Sequence, residues 1–190
     1  MKEMMRSKKA AIVDMTAGSP TALILGFAIP MLLGTLFQQF YSMADTVIVG
    51  RYLSINALAG VGSTAAINFL INGFVIGMSS GFAIPVAQRF GARDYTDMRK
   101  FIANTIWLSL IFSFVVTGLV AIFTKPLLVW TQTPEEIMPY AYQYIFIIFL
   151  GIPTTYLYNV TASLIRALGD SKTPVYFLIL ASVINIVLHF

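Results

Sequence analysis

Charged side chains are absent from five long stretches of this chain: between Asp14 and Asp45, Arg51 and Arg89, Lys100 and Lys125, Glu136 and Arg166, and from Lys172 to Phe190. Apolar residues run through each stretch continuously instead of alternating with polar ones. All but the last exceed the roughly 20 residues an α-helix needs to cross the hydrocarbon of a bilayer. Backbone groups in hydrocarbon must pair within a helix or around a closed barrel. Barrel strands alternate apolar and polar positions, so the pattern predicts helices. Spans are expected at about 21–50, 57–90, 101–123, 137–162 and 174–190, after a polar tail over 1–20. The last is marginal in length. The expected fold class is all-α, a polytopic transmembrane bundle of about five spanning helices.

Composition removes the soluble alternative. The 58% hydrophobic and 11% charged residues stand against roughly 45–50% and about 25% in soluble domains. Cysteine is absent and there is a single histidine, so disulfides and thiolate metal sites are excluded and little is left for a metal cage. The net charge of +4 does not point to nucleic acid, because the basic residues sit in short loops rather than along one face.

Those loops carry orientation. Alternating them between two sides gathers Lys2, Arg6, Lys8 and Lys9, then Arg89, Arg93, Arg99 and Lys100, then Arg166 and Lys172, leaving Arg51 and Lys125 opposite. By the positive-inside rule the N-terminus is expected in the cytoplasm; the membrane is expected to be the plasma membrane. The first uncharged stretch is far longer than the 7–15-residue core of a cleavable signal, so it is read as a retained span. Trp130, Tyr140 and Tyr142 fall where interfacial aromatic residues anchor helix ends.

Loops are too short for a soluble domain, so the chain after its tail is one membrane domain. Gly169 suits a left-handed helix cap and Pro174 the first turn of the next helix, with the polar run Asp170 to Thr173 between them. Gly73, Gly77 and Gly81, spaced by four, form a small-residue stripe expected to let a neighbouring helix approach closely. Pro30, Pro85 and Pro153 are expected to bend or end spans.

Polar groups inside the spans need a reason. An ionised group costs about 2.5–3.5 kcal/mol at the centre of a span, so it tends to face the bundle interior and to serve function. Asp45, in the outer third of the first helix, is the carboxylate that qualifies. Gln38 and Tyr41 precede it by seven and four residues, which places all three on one helical stripe. An amide, a phenol and a carboxylate together offer hard oxygen ligands for Na⁺ or a titratable site for H⁺. Asn68 and Asn72, Asn159, and Asn185 with His189 add polar faces to other spans, where interhelical hydrogen bonding competes with ligand chemistry. His189 has the titration range of a proton relay. There is no phosphate-binding loop, HExxH, GxSxG or cysteine nucleophile, so no enzyme is expected.

Three segments carry a family resemblance. Pro30-Met-Leu-Leu-Gly-Thr-Leu-Phe-Gln38 through Tyr41-Ser-Met-Ala-Asp45-Thr-Val-Ile-Val-Gly50 is similar to the first helix of the multidrug and toxic compound extrusion (MATE) family. Ala87-Gln-Arg-Phe-Gly-Ala-Arg-Asp94 resembles the motif at the inner end of its second helix, and Arg166-Ala-Leu-Gly-Asp-Ser-Lys-Thr-Pro174 its loop between helices four and five. The resemblance implies an antiporter driven by H⁺ or Na⁺ that exports drug-like or organic cationic compounds, needing no cofactor beyond the coupling ion. It implies that Asp45 belongs to a cation site in the N-terminal lobe, with Na⁺ there if sodium is coupled. Gln38 and Pro30 match positions tied to the same lobe's cavity and bending, and Asn185 completes the cluster. His189 stands where similar members commonly carry Asp. The family has twelve helices in two lobes, so this chain is expected to be an incomplete N-terminal lobe, ending within the fifth helix and inactive without the missing C-terminal lobe. Its partners are then membrane lipid, small-molecule substrates and that second lobe, and no nucleic acid.

Two other readings remain. A flippase lobe for lipid-linked or polysaccharide cargo would be expected to show basic residues within its spans, and none is found there. A non-transporting module would pack against partners through the Gly73 stripe.

Overall fold

The computed structural model describes residues 18–52 and 54–189; the side chains of Tyr41, Ala44, Asp45, Val49, Tyr52 and residues 185–189 lie outside that description. The described chain is built of helices α1 (Pro20–Tyr52), α2 (Ile55–Ser63), α3 (Ala65–Gly91), α4 (Tyr95–Trp130), α5 (Met138–Leu150), α6 (Ile152–Ala167) and α7 (Thr173–His189). Three of them are long and apolar enough to cross a membrane, and α5 with α6 makes a fourth crossing if the bent pair is one span. The apolar part of α7 is shorter, Thr173–Ile184.

Many large apolar side chains are exposed, as they would not be in a water-soluble protein. Phe69, Trp107, Phe114 and Ile122 are exposed, while Ser79, Thr105, Ser109, Ser113 and Thr124 are buried. Lipid rewards exposed apolar side chains as water does not, and small hydroxylated residues let helices approach and satisfy one another inside a membrane bundle. On α4 the buried positions are Thr105, Ser109, Ser113, Val116, Val120, Thr124 and Leu128, one stripe at helical spacing. Ser113 and Thr124 return their hydroxyl protons to carbonyls of their own helix, Leu110 O at 2.9 Å and Val120 O at 2.7 Å.

The chain divides into two compact units, one of residues 1–44, 83–102 and 162–190, the other of 45–82 and 103–161. In the second unit Val75, Leu128, Ile145, Phe149 and Tyr156 are fully buried. The Thr105 hydroxyl donates to Phe82 O at 3.4 Å and Phe112 meets Phe82 edge-on, joining α4 to α3. The backbone of α2 comes so close to α5 that a Cβ on Gly60 would stand 2.9 Å from Ala141 N. In the first unit Gly34 of α1 packs against Val175 and Leu178 of α7, with 3.2 Å from an ideal Cβ to Val175 Cγ2.

Several expectations are revised. The second span is two helices, broken at Thr64. The run Gly60-Val-Gly-Ser-Thr64 explains the break: Ser63 donates to Gly60 O at 2.8 Å and Thr64 to Val61 O at 2.7 Å, competing with the helical ladder that glycine already weakens. The fourth span is bent by 45° at Gly151, two residues before Pro153, whose ring lacks an amide proton and crowds the carbonyl four residues back. The third span runs past both its flanking lysines, over Tyr95–Trp130 and through Pro126. At 1.5 Å per residue α4 is about 54 Å long, so a helix nearly twice the hydrocarbon thickness carries its charged ends into water. Lys125 is therefore helical. The expected close packing at Gly73, Gly77 and Gly81 is not found, since an added Cβ at any of them meets nothing within 4 Å. Small residues permit an approach but do not create the neighbour; the close approaches are at Gly60 and Gly34.

Candidate functional site

α1 runs unbroken from Pro20 to Tyr52, through Pro30. Gln38, Tyr41 and Asp45 therefore stand on one continuous helix at the spacing of one stripe. Gln38 is exposed, while the side chains of Tyr41 and Asp45 lie outside the described residues. So do those of Asn185 and His189, whose backbone continues α7. The two helices that carry the candidates touch at Gly34 and Val175. Missing a Cβ, Gly34 is the position that allows this approach. No group of three or more His, Cys, Asp or Glu able to hold a metal occurs among the described residues.

The two loop motifs are fully described, and both are helix-ending turns. After α3, Arg93 takes a φ of 60°, its amide donates to Phe90 O at 3.0 Å, and the Asp94 amide donates to Arg89 O at 3.0 Å. After α6, Gly169 takes a φ of 87°, its amide donates to Arg166 O at 2.9 Å, and the Asp170 amide donates to Ile165 O at 3.2 Å. Each left-handed residue satisfies carbonyls that the helix end leaves free.

The aspartate that follows prepares the next helix. Asp94 Oδ1 accepts from the Asp97 amide at 3.2 Å, an N-cap for α4. Asp170 Oδ1 accepts the amides of Lys172 and Thr173, both at 3.0 Å, and Oδ2 accepts the Thr173 hydroxyl at 2.5 Å. Burial alone would push the Asp170 carboxyl up, but the bonds from Thr173 and Lys172, helped by the Lys172 charge, hold it below the ordinary carboxylate range. Arg89 spans the first turn to Asp94 at 3.5 Å and lies 5.8 Å over the Phe101 ring. These residues shape turns rather than a ligand site. The spacing Asp94-x-x-Asp97 and the sequence Asp170-x-x-Thr173 were the available signals for the caps.

Other polar features were only partly anticipated. Asn72 donates its side-chain amide to Asn68, so this pair is joined along α3. Asn159 donates to Thr155 O at 2.8 Å, within its own helix. Ser109 and Tyr156 bury their hydroxyls, and neither has a hydrogen-bond partner among the described residues. At the far end of α4 the Lys125 ammonium lies 5.6 Å over the Tyr142 ring, which stacks on Phe146.

Membrane-length apolar helices with hydroxyls among the buried residues and many large apolar side chains exposed make the described residues an integral membrane bundle. The MatE family model matches residues 30–190, and the chain belongs to that family. It is 33% identical over 162 residues to the probable multidrug resistance protein YoeA of Bacillus subtilis (strain 168), covering 85% of this chain and 35% of that one. It is 31% identical to the probable multidrug resistance protein YpnP of the same organism, covering 92% and 39%. A crystal structure of MATE in complex with MaD3S superposes with a TM-score of 0.81 at 27% identity, over 90% of this chain and 38% of that chain. The fold is thus that of part of a MATE lobe, and the chain spans little more than a third of the length of these relatives.

Proposed function

We propose that this chain supplies the cation-coupled part of an efflux antiporter for drug-like or organic cationic compounds, with Asp45 as the group that takes up H⁺ or Na⁺. The observation that carries the reading is α1: an unbroken helix, free of charge from Pro20 to Ala44, that presents Gln38, Tyr41 and Asp45 in register within the segment matching the MatE family. Contact between Gly34 and Val175 supports a role for α7, and with it Asn185 and His189 as further members of the cation cluster. Loading Asp45 with a cation neutralises its carboxylate. A state-dependent environment at that carboxylate then biases two helix arrangements, and Pro30 is the position at which α1 would bend between them.

Transport in this reading needs a complementary half, because substrate paths in such repeats form between two lobes. The N-terminus is cytoplasmic, as the loop charges favour, and the membrane is the plasma membrane. Efflux of a cationic dye is the test. Cells producing this chain alone should retain dye like empty cells, and cells that also produce the complementary half of a MATE transporter should expel it. Efflux from the chain alone would overturn the need for a second half, and unchanged efflux on Asp45→Asn would overturn the coupling role.

A further inference from the structure

The cavity at the end of α4 is lined by Lys125, Glu135, Met138, Pro139, Tyr142 and Gln143 and has a volume of about 450 Å³, within the range of small-molecule sites. It contains one cationic and one anionic side chain. They do not pair with each other: the ion pairs among the described residues are Arg89–Asp94 and Lys100–Asp97. Lys125 instead lies over the Tyr142 ring. Two opposite charges held apart in one concavity are matched by a ligand that itself carries both charges, since a simple anion would face Glu135 and a simple cation would face Lys125.

The surroundings identify the kind of zwitterion. Ile122 and Phe123 precede Lys125 as exposed apolar residues, Val129 and Trp130 follow it, and Ile147 is exposed on α5 beyond Tyr142. Trp130 is 85% exposed at the helix end, as an interfacial anchor would be. A charged, half-open site surrounded by side chains that favour lipid suits a molecule with a polar head and apolar tails. We infer that this cavity binds the headgroup of a zwitterionic phospholipid, phosphate on Lys125 and ammonium on Glu135. Charge-assisted bonds to the ammonium and the carboxylate hold the head, the Gln143 amide can reach a further phosphate or ester oxygen, and Met138 and Pro139 cover the glycerol and first methylenes. The site belongs to the membrane-embedded chain itself and does not depend on transport.

Native mass spectrometry of the chain in detergent, titrated with phosphatidylethanolamine or phosphatidylglycerol, tests the inference. The wild-type chain should retain phosphatidylethanolamine about fivefold better, one favourable charge contact near the surface being worth about that factor. Glu135→Gln should abolish the preference and leave phosphatidylglycerol bound at least as well as before, whereas Lys125→Ala should weaken both lipids. The two substitutions are at exposed positions, and Glu135→Gln alone decides the matter if Lys125→Ala fails to fold. Equal retention of both lipids by the wild-type chain, or a preference that survives Glu135→Gln, would overturn the proposal. Soluble glycerophosphoethanolamine should not compete at the concentrations at which the lipid binds; competition there would overturn the lipid as the source. None of these outcomes bears on dye efflux or on Asp45, so failure here leaves the transport reading standing.

Discussion

Arg93 and Gly169 occupy the same place in two turns of one construction: each has a positive φ, 60° and 87°, each donates its amide three residues back, and each is followed by an aspartate whose amide reaches five residues back. Only one of the two is glycine. A side chain in the left-handed region costs roughly 1–2 kcal/mol, so the turn after α3 stores strain that the turn after α6 avoids.

Arg93→Gly should therefore stabilise the chain by up to about 1 kcal/mol, the relief being offset in part by the entropy of a glycine in the unfolded chain. Gly169→Ala should destabilise it by about 1 kcal/mol. Thermal unfolding in detergent checks both, and shifts of the same sign would contradict the shared construction.

Asp170 gives a pH-dependent prediction. Its carboxyl is held below the ordinary range, so its stabilising bonds are fully present above the unfolded value of about 3.9 and are lost as pH falls through the lower folded value. Asp170→Ala should cost about 1–2 kcal/mol at neutral pH. The gap between wild type and variant should close on acidification to below about pH 3.9. A gap that is constant with pH would mean that the carboxylate's charge plays no part.

Gly60 and Gly77 should respond oppositely to alanine. A methyl at Gly60 would meet the Ala141 backbone and Tyr140 Cβ at 2.9 Å, whereas one at Gly77 meets nothing within 4 Å. Gly60→Ala should cost about 1–3 kcal/mol through overpacking. Gly77→Ala should be neutral or gain up to about 1 kcal/mol from helix propensity. Thermal unfolding of the two variants side by side decides it; a cost at Gly77 would show a neighbour on that stripe.

The sequence made the helical class plain because lipid imposes so simple a rule: uncharged stretches must be helices that satisfy their own backbones. It was less informative about ends and breaks. Lys100 and Lys125 bound the third uncharged stretch, yet a helix does not stop where the bilayer does, and α4 continues to Trp130. The break at Thr64 was written in Gly60-Val-Gly-Ser-Thr64, where glycines and hydroxyls compete with the ladder. The stripe of Gly73, Gly77 and Gly81 misled because smallness shows what can approach, not what does. For the candidate cation site, spacing placed Gln38, Tyr41 and Asp45 on one stripe of α1, but chemistry alone did not separate a coupling carboxylate from an interfacial one. The coupling role proposed for Asp45 is what the family resemblance implies. The caps at Asp94 and Asp170 show that two of the three family-like segments form helix-ending turns.

Uptake of the coupling ion by Asp45 is tested most directly by the effect of pH and Na⁺ on the thermal stability of the purified chain. An ion bound by the folded state raises stability by about 2.7 kcal/mol at a hundred times its dissociation constant. The wild-type chain should therefore unfold at a temperature that rises with Na⁺, or with added H⁺, and Asp45→Asn should remove that dependence while retaining the helical content. A dependence of equal size in Asp45→Asn would contradict the assignment.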